Sequence, residues 1–101
     1  MIIRGTAPIH TFTMPVDESQ VAKLRVNYAQ QGRLVLVKTE EDATMEGSKL
    51  RIQLTQEDTL TFRCNVDVEI QLDILTVAGD PLRSKIKRVD VDRCLNSEVL
   101  A

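Results

Sequence analysis

The stretch VDVEIQLDILT, residues 66–76, constrains the fold more tightly than any other part of the chain. Val66, Val68, Ile70, Leu72 and Ile74 alternate with Asp67, Glu69, Gln71 and Asp73. On a strand this spacing places the apolar side chains on one face and the polar ones on the other, whereas a helix would scatter the charges round its circumference. A strand with one dry face and one wet face belongs to a sheet that packs on a second layer.

The same period recurs along the chain. VAKLRVNYAQ, 21–30, sets Ala22, Leu24, Val26 and Tyr28 against Lys23, Arg25 and Asn27, and predicts a half-buried strand. IHTFTM, 9–14, places His10, Phe12 and Met14 on one side and ends at Pro15, which lacks a backbone donor. QQG, with Gly32, fits a hairpin turn into LVLVKTE, 34–40. Apolar residues of that segment fall on both faces, so a central strand, or one covered on each side, is expected. After a polar run with a turn at Gly47, Leu50, Ile52 and Leu54 alternate with Arg51 and Gln53 as a short fourth strand. VAGDPL turns the chain into SKIKRVDV, 84–91, where the apolar phase slips between Ile86 and Val89 in the manner of a β-bulge or a twisted edge. With a short strand at MIIR, the expectation is an all-β antiparallel sandwich of about seven strands.

LTQEDTLTF, 54–62, interrupts this pattern with a helix-start signal. Thr55 can cap a single turn through Gln56, Glu57, Asp58 and Thr59, with Asp58 at the reciprocal position of a capping box. Such a turn carries the chain from one sheet to the other while Leu54, Leu60 and Phe62 stay in the core.

At 101 residues the chain makes a single domain, residues 1–101, because halving it would leave each part too little buried surface. A net charge of −2 and a pI near 5.3 offer no general positive field to a phosphate backbone, so nucleic acid is disfavoured. Phe12, Tyr28 and Phe62 are the only aromatic residues, which leaves little for stacking on sugars or bases. No apolar run approaches the ~18 residues that cross a bilayer, and no membrane anchor is expected.

Candidate chemistry is sparse. His10 is the only histidine and reads as a satisfied or partly exposed strand residue. If the last hairpin turns within VAGDPL, Cys64 falls about opposite Cys94, although two reduced thiols are the expectation for a chain made in the cytosol. EED, 40–42, reads as a solvated turn, since neighbouring residues on a strand point to opposite faces. No phosphate-cradling glycine loop, nucleophile elbow or paired CxxC is present, so no catalytic, cofactor-binding or metal-binding residue is assigned. Arg83, Lys85, Lys87 and Arg88 protect an edge or meet an acidic partner. Ser84, Lys85, Ile86, Lys87, Arg88 and Val89 form the candidate edge-strand interface.

Nearly the whole chain resembles small β-sandwich proteins of phages and prophages of Firmicutes, in particular the N-terminal immunoglobulin-like domain of phage upper baseplate proteins. The resemblance rests on the Arg4-Gly5-Thr6 opening, the polar link from Asp17 to Ser19, the first long hairpin, the step from Gly47 to Leu54 and Thr55, and the final hairpin. It implies an immunoglobulin-like domain in a virion, made in the bacterial cytoplasm, that docks to other copies of itself and to neighbouring tail proteins without enzymatic activity. Two alternatives stay open: a sugar- or peptide-binding module with Tyr28 exposed in a concave site, and an inhibitor that engages a host protein.

Overall fold

The computed structural model describes residues 1–100. Ten strands run in the order β1 (Ile2–Ile3), β2 (Ile9–Thr13), β3 (Val21–Gln30), β4 (Arg33–Thr39), β5 (Ala43–Glu46), β6 (Lys49–Gln53), β7 (Val68–Thr76), β8 (Pro81–Arg83), β9 (Lys87–Val89) and β10 (Val91–Asp92). One short helix, α1 (Gln56–Leu60), lies between β6 and β7.

One sheet has the order β2-β6-β5 and the other β4-β3-β7-β8, with β9 also on β7. β1 pairs in parallel with β10. If β2 to β9 are read as strands B, C, C′, D, E, F and G, with β8 and β9 as two pieces of G, the sheets are B-E-D and C′-C-F-G. This is the strand order of an immunoglobulin-like sandwich. The inner faces share one core, with Leu24, Val26, Tyr28, Leu50, Ile52, Val68, Ile70, Leu72 and Ile74 among its buried members. Gln31 and Gly32 link β3 to β4 with φ of 52° and 75°. Both lie in the left-handed region that a two-residue type I′ hairpin needs, and Gly32 adopts it without a Cβ penalty.

α1 forms as the capping box predicts. The Thr55 side chain accepts from the Asp58 N–H at 3.1 Å, and Asp58 Oδ2 accepts from the Thr55 N–H at 2.8 Å. The helix docks the Arg4-Gly5-Thr6 segment. Buried Thr59 accepts from the Gly5 N–H at 2.9 Å and donates to the Thr6 carbonyl at 2.7 Å, while Arg4 Nη2 donates to the Leu60 carbonyl at 3.0 Å. The opening motif is therefore a clasp on the crossover helix.

Several local expectations are corrected. β4 is an edge strand, not a central or covered one, and its outward apolar residues Leu34 and Val37 stay exposed. Its apolar residues occupy both faces partly because the register shifts opposite Tyr28 and Ala29, leaving Val35 as the extra residue. A second shift between Val21 and Lys23 turns Ala22 out to water, although its phase with Leu24 placed it inside. β5 lies in the segment read as polar loop, where only Ala43 and Met45 turn toward the core. EED, by contrast, is the solvated turn expected: a single 3-10 turn, Glu40–Asp42, with all three residues exposed. The segment 84–91 is not one strand: Ser84, Lys85 and Ile86 separate β8 from β9. Ile74 faces Leu82 but Ile70 faces Lys87, a one-residue slip in the ladder across the break at Ser84–Ile86.

Candidate interaction surfaces

The outer face of the sheet containing β3 and β7 carries a row of charge. Register sets Arg25 of β3 and Arg83 of β8 on either side of Asp73 of β7. Asp73 Oδ2 accepts from Arg25 Nε at 2.8 Å, Asn27 Nδ2 at 2.8 Å and Arg83 Nη1 at 3.2 Å. The three donors cover the carboxylate, and the Asp73 side chain is only 11 % exposed although it points to the outer face. Oδ1 has no partner among the described residues. This row lines an open depression of about 450 Å³ in the sheet surface, which also takes in Asn27 and Gln71 and has Leu34, Val37 and Ile86 as its large apolar residues.

The segment Ser84–Val89 lies along the edge of that sheet. Ser84 departs from the strand but stays tied to it: its N–H donates to the Leu72 carbonyl at 2.9 Å and its hydroxyl accepts from the Leu72 N–H at 2.9 Å. Lys85 and Ile86 are exposed in the break, Lys87 and Arg88 are exposed on β9, and Val89 packs against the core. Arg88 Nη2 contacts Glu69 Oε2 at 3.3 Å. The charges thus alternate with a kink, the two features that keep an edge from adding further strands.

Titratable side chains near the interior are engaged in holding the sandwich together. His10 Nδ1 lies 2.9 Å from the Tyr28 hydroxyl. Burial, then the positive charges of Lys87 and the N-terminus, lower the imidazole below its ordinary pKa. Tyr28 is fully buried, and burial with the nearby Asp58 charge holds its phenol well above the usual range. Its burial counts against an exposed tyrosine in a ligand cleft. Lys38 of β4 contacts Asp58 of α1 at 2.8 Å, with both side chains largely covered. This pair, which no local sequence signal marks, pins the edge strand to the crossover helix.

Cys64 and Cys94 are free thiols, each half-buried. β7 begins after Cys64 and β10 ends before Cys94, so no ladder carries one opposite the other. Among the described residues no group of His, Cys, Asp and Glu side chains is placed to hold a metal ion, and no helix is long and apolar enough to cross a membrane.

Open backbone edges complete the surface. In the second sheet β2 and β5 flank β6, so each has one side without a strand partner. β2 shows Ile9, Thr11 and Thr13 to solvent and turns His10 and Phe12 inward. Comparison with family models, curated proteins and solved structures finds no match.

Proposed function

We propose that this chain is a non-enzymatic assembly protein, a tail or baseplate component of a phage or prophage particle, working through contacts with other copies and with neighbouring structural proteins. The observation that carries the reading is the combination of an immunoglobulin-like sandwich with open strand edges and exposed apolar side chains. Leu34, Val37 and Ile86 stand out of one sheet, and Ile9 out of the other. A sheet edge offers an ordered row of hydrogen-bonding groups, and covering it together with such side chains is how sandwiches join. The polar groups within the fold support the same reading, since His10, Asp58 and Asp73 are each taken up by structural partners. The particle setting comes from the resemblance of the sequence.

Fractionation of particles from a producing strain tests this function. The chain is expected to band with intact particles at a fixed ratio to their other structural proteins. Recovery only in the soluble host fraction, bound to one host protein, contradicts it and favours the inhibitor.

A further inference from the structure

We propose that the free edge of β2 is a docking site for the β2 strand of a second copy of this chain, paired antiparallel across a two-fold axis at Thr11. The inference rests on the assembly reading above and names the surface and the partner.

The geometry starts from hydrogen-bond alternation. The Leu54 N–H donates to the Pro8 carbonyl and the Met14 N–H to the Ser48 carbonyl, one at each end of the β2–β6 ladder. The register between them is continuous, from Ile9 facing Gln53 to Thr13 facing Lys49. In an antiparallel pair, hydrogen-bonded and non-bonded positions alternate. With Pro8 and Met14 bonded to the β6 side, His10 and Phe12 are bonded too. The N–H and C=O groups of Ile9, Thr11 and Thr13 therefore point away from β6, toward the open edge. Their side chains are exposed as well.

This edge suits a copy of itself. Centred on Thr11, antiparallel pairing sets Ile9 against the partner's Thr13 and Thr11 against the partner's Thr11, so outward groups meet outward groups throughout. About six hydrogen bonds follow, two for each facing pair. The five residues IHTFT contain no Lys, Arg, Asp or Glu, so the two-fold brings no like charges together. The other edges lack these properties. β8 and β9 are interrupted by Ser84–Ile86 and carry Arg83, Lys87 and Arg88, which a two-fold would set against one another. β4 is bulged at Val35 and holds Arg33 and Lys38. β5 is four residues long and ends in Glu46. An uncharged, regular and unpaired edge is what folded proteins ordinarily avoid leaving open. Pairing joins the two three-stranded sheets into one continuous sheet of six.

Sedimentation equilibrium of the full chain from about 10 μM to 1 mM tests the proposal. Thr11→Pro removes an N–H that the β2–β6 ladder does not use, and Thr11→Lys places two cations across the axis. Thr11→Val keeps the backbone groups. The wild type and T11V are expected to dimerise, while T11P and T11K raise the dissociation constant at least tenfold with thermal unfolding little changed. A wild type that stays monomeric overturns the proposal. So does a dimer that persists in both T11P and T11K, an outcome that moves the contact to another surface and leaves the assembly reading standing. Loss of the chain from particles is the separate result that removes that reading.

Discussion

His10 Nδ1 and the Tyr28 hydroxyl lie 2.9 Å apart, joining β2 of one sheet to β3 of the other through the interior. Tyr28 in turn tilts against Phe62, with ring centroids 5.8 Å apart. The hydrogen bond is a polar bridge between the two layers.

Because burial, Lys87 and the N-terminus lower the His10 pKa on folding, the unfolded chain takes up its proton first as pH falls. The contribution is complete above about pH 6.5, the unfolded value, and is lost as pH falls toward the lower folded one. Unfolding free energy measured in urea between pH 8 and 5 is expected to decline on the acid side, and His10→Leu to flatten that decline. An unchanged slope in the variant would contradict this origin. Tyr28→Phe, which leaves the imidazole without its partner, is expected to cost about 0.5–1.5 kcal/mol at pH 7.5.

Acid unfolding should show Asp58 at lower pH. Burial raises its pKa, but the hydrogen bonds from Lys38 and the Thr55 N–H outweigh burial and leave it below the ordinary carboxylate value. Its contribution is present above the unfolded value, about 3.9, and disappears as pH falls through the folded one. Asp58→Asn is therefore expected to lower stability at pH 7 and to unfold with a shallower dependence below pH 4. Equal slopes for the two proteins in that window would count against the pair.

Thr59→Val keeps the shape of a fully buried side chain while removing its hydroxyl. The Gly5 N–H and the Thr6 carbonyl both lose their partner. A loss of about 1–3 kcal/mol is expected, with faster amide exchange at Gly5 as the local sign. Unchanged exchange there would mean that the clasp is held by other contacts.

Replacing Asp73 with Ala leaves Arg25 and Arg83 facing the same gap with no anion between them. Both arginines are more than half exposed, so water offsets part of the loss and about 1–3 kcal/mol is expected. The cost should shrink in Asp73→Asn with both arginines replaced by Gln. Equal losses in the two backgrounds would place the effect in packing rather than charge.

Much of the sandwich is legible locally. The period-two run through Ile74 reports β7 and the Thr55 and Asp58 pair reports α1, whereas the phase slip between Ile86 and Val89 lies just past the actual break at Ser84–Ile86, which splits the expected single strand into β8 and β9. What the sequence hides depends on partners distant along the chain. Asp73 reads as a wet-face residue, yet it is covered because register brings Arg25 and Arg83 beside it. Leu34 and Val37 read as covered because apolar residues occupy both faces of β4, but strand order leaves that strand at an edge. The open side of β2 is hidden for the same reason: only the pairing of all other strands reveals that, among the described residues, no strand pairs with it there. The segment Ser84–Val89 stands out in sequence by its charges, whereas the more regular β2 edge stands out only by lacking them.

Which edges are open follows from strand order, and strand order is therefore the claim to measure first. Cross-strand nuclear Overhauser contacts in isotopically labelled protein read it directly. The expected result is contact of β3 with both β4 and β7, linking Tyr28 to Leu36 and to Ile70, together with contact of β6 with both β2 and β5, linking Ile52 to His10 and to Ala43. Contacts placing another strand beside Thr11 within the monomer, or helical contacts along Val68–Thr76, would contradict it.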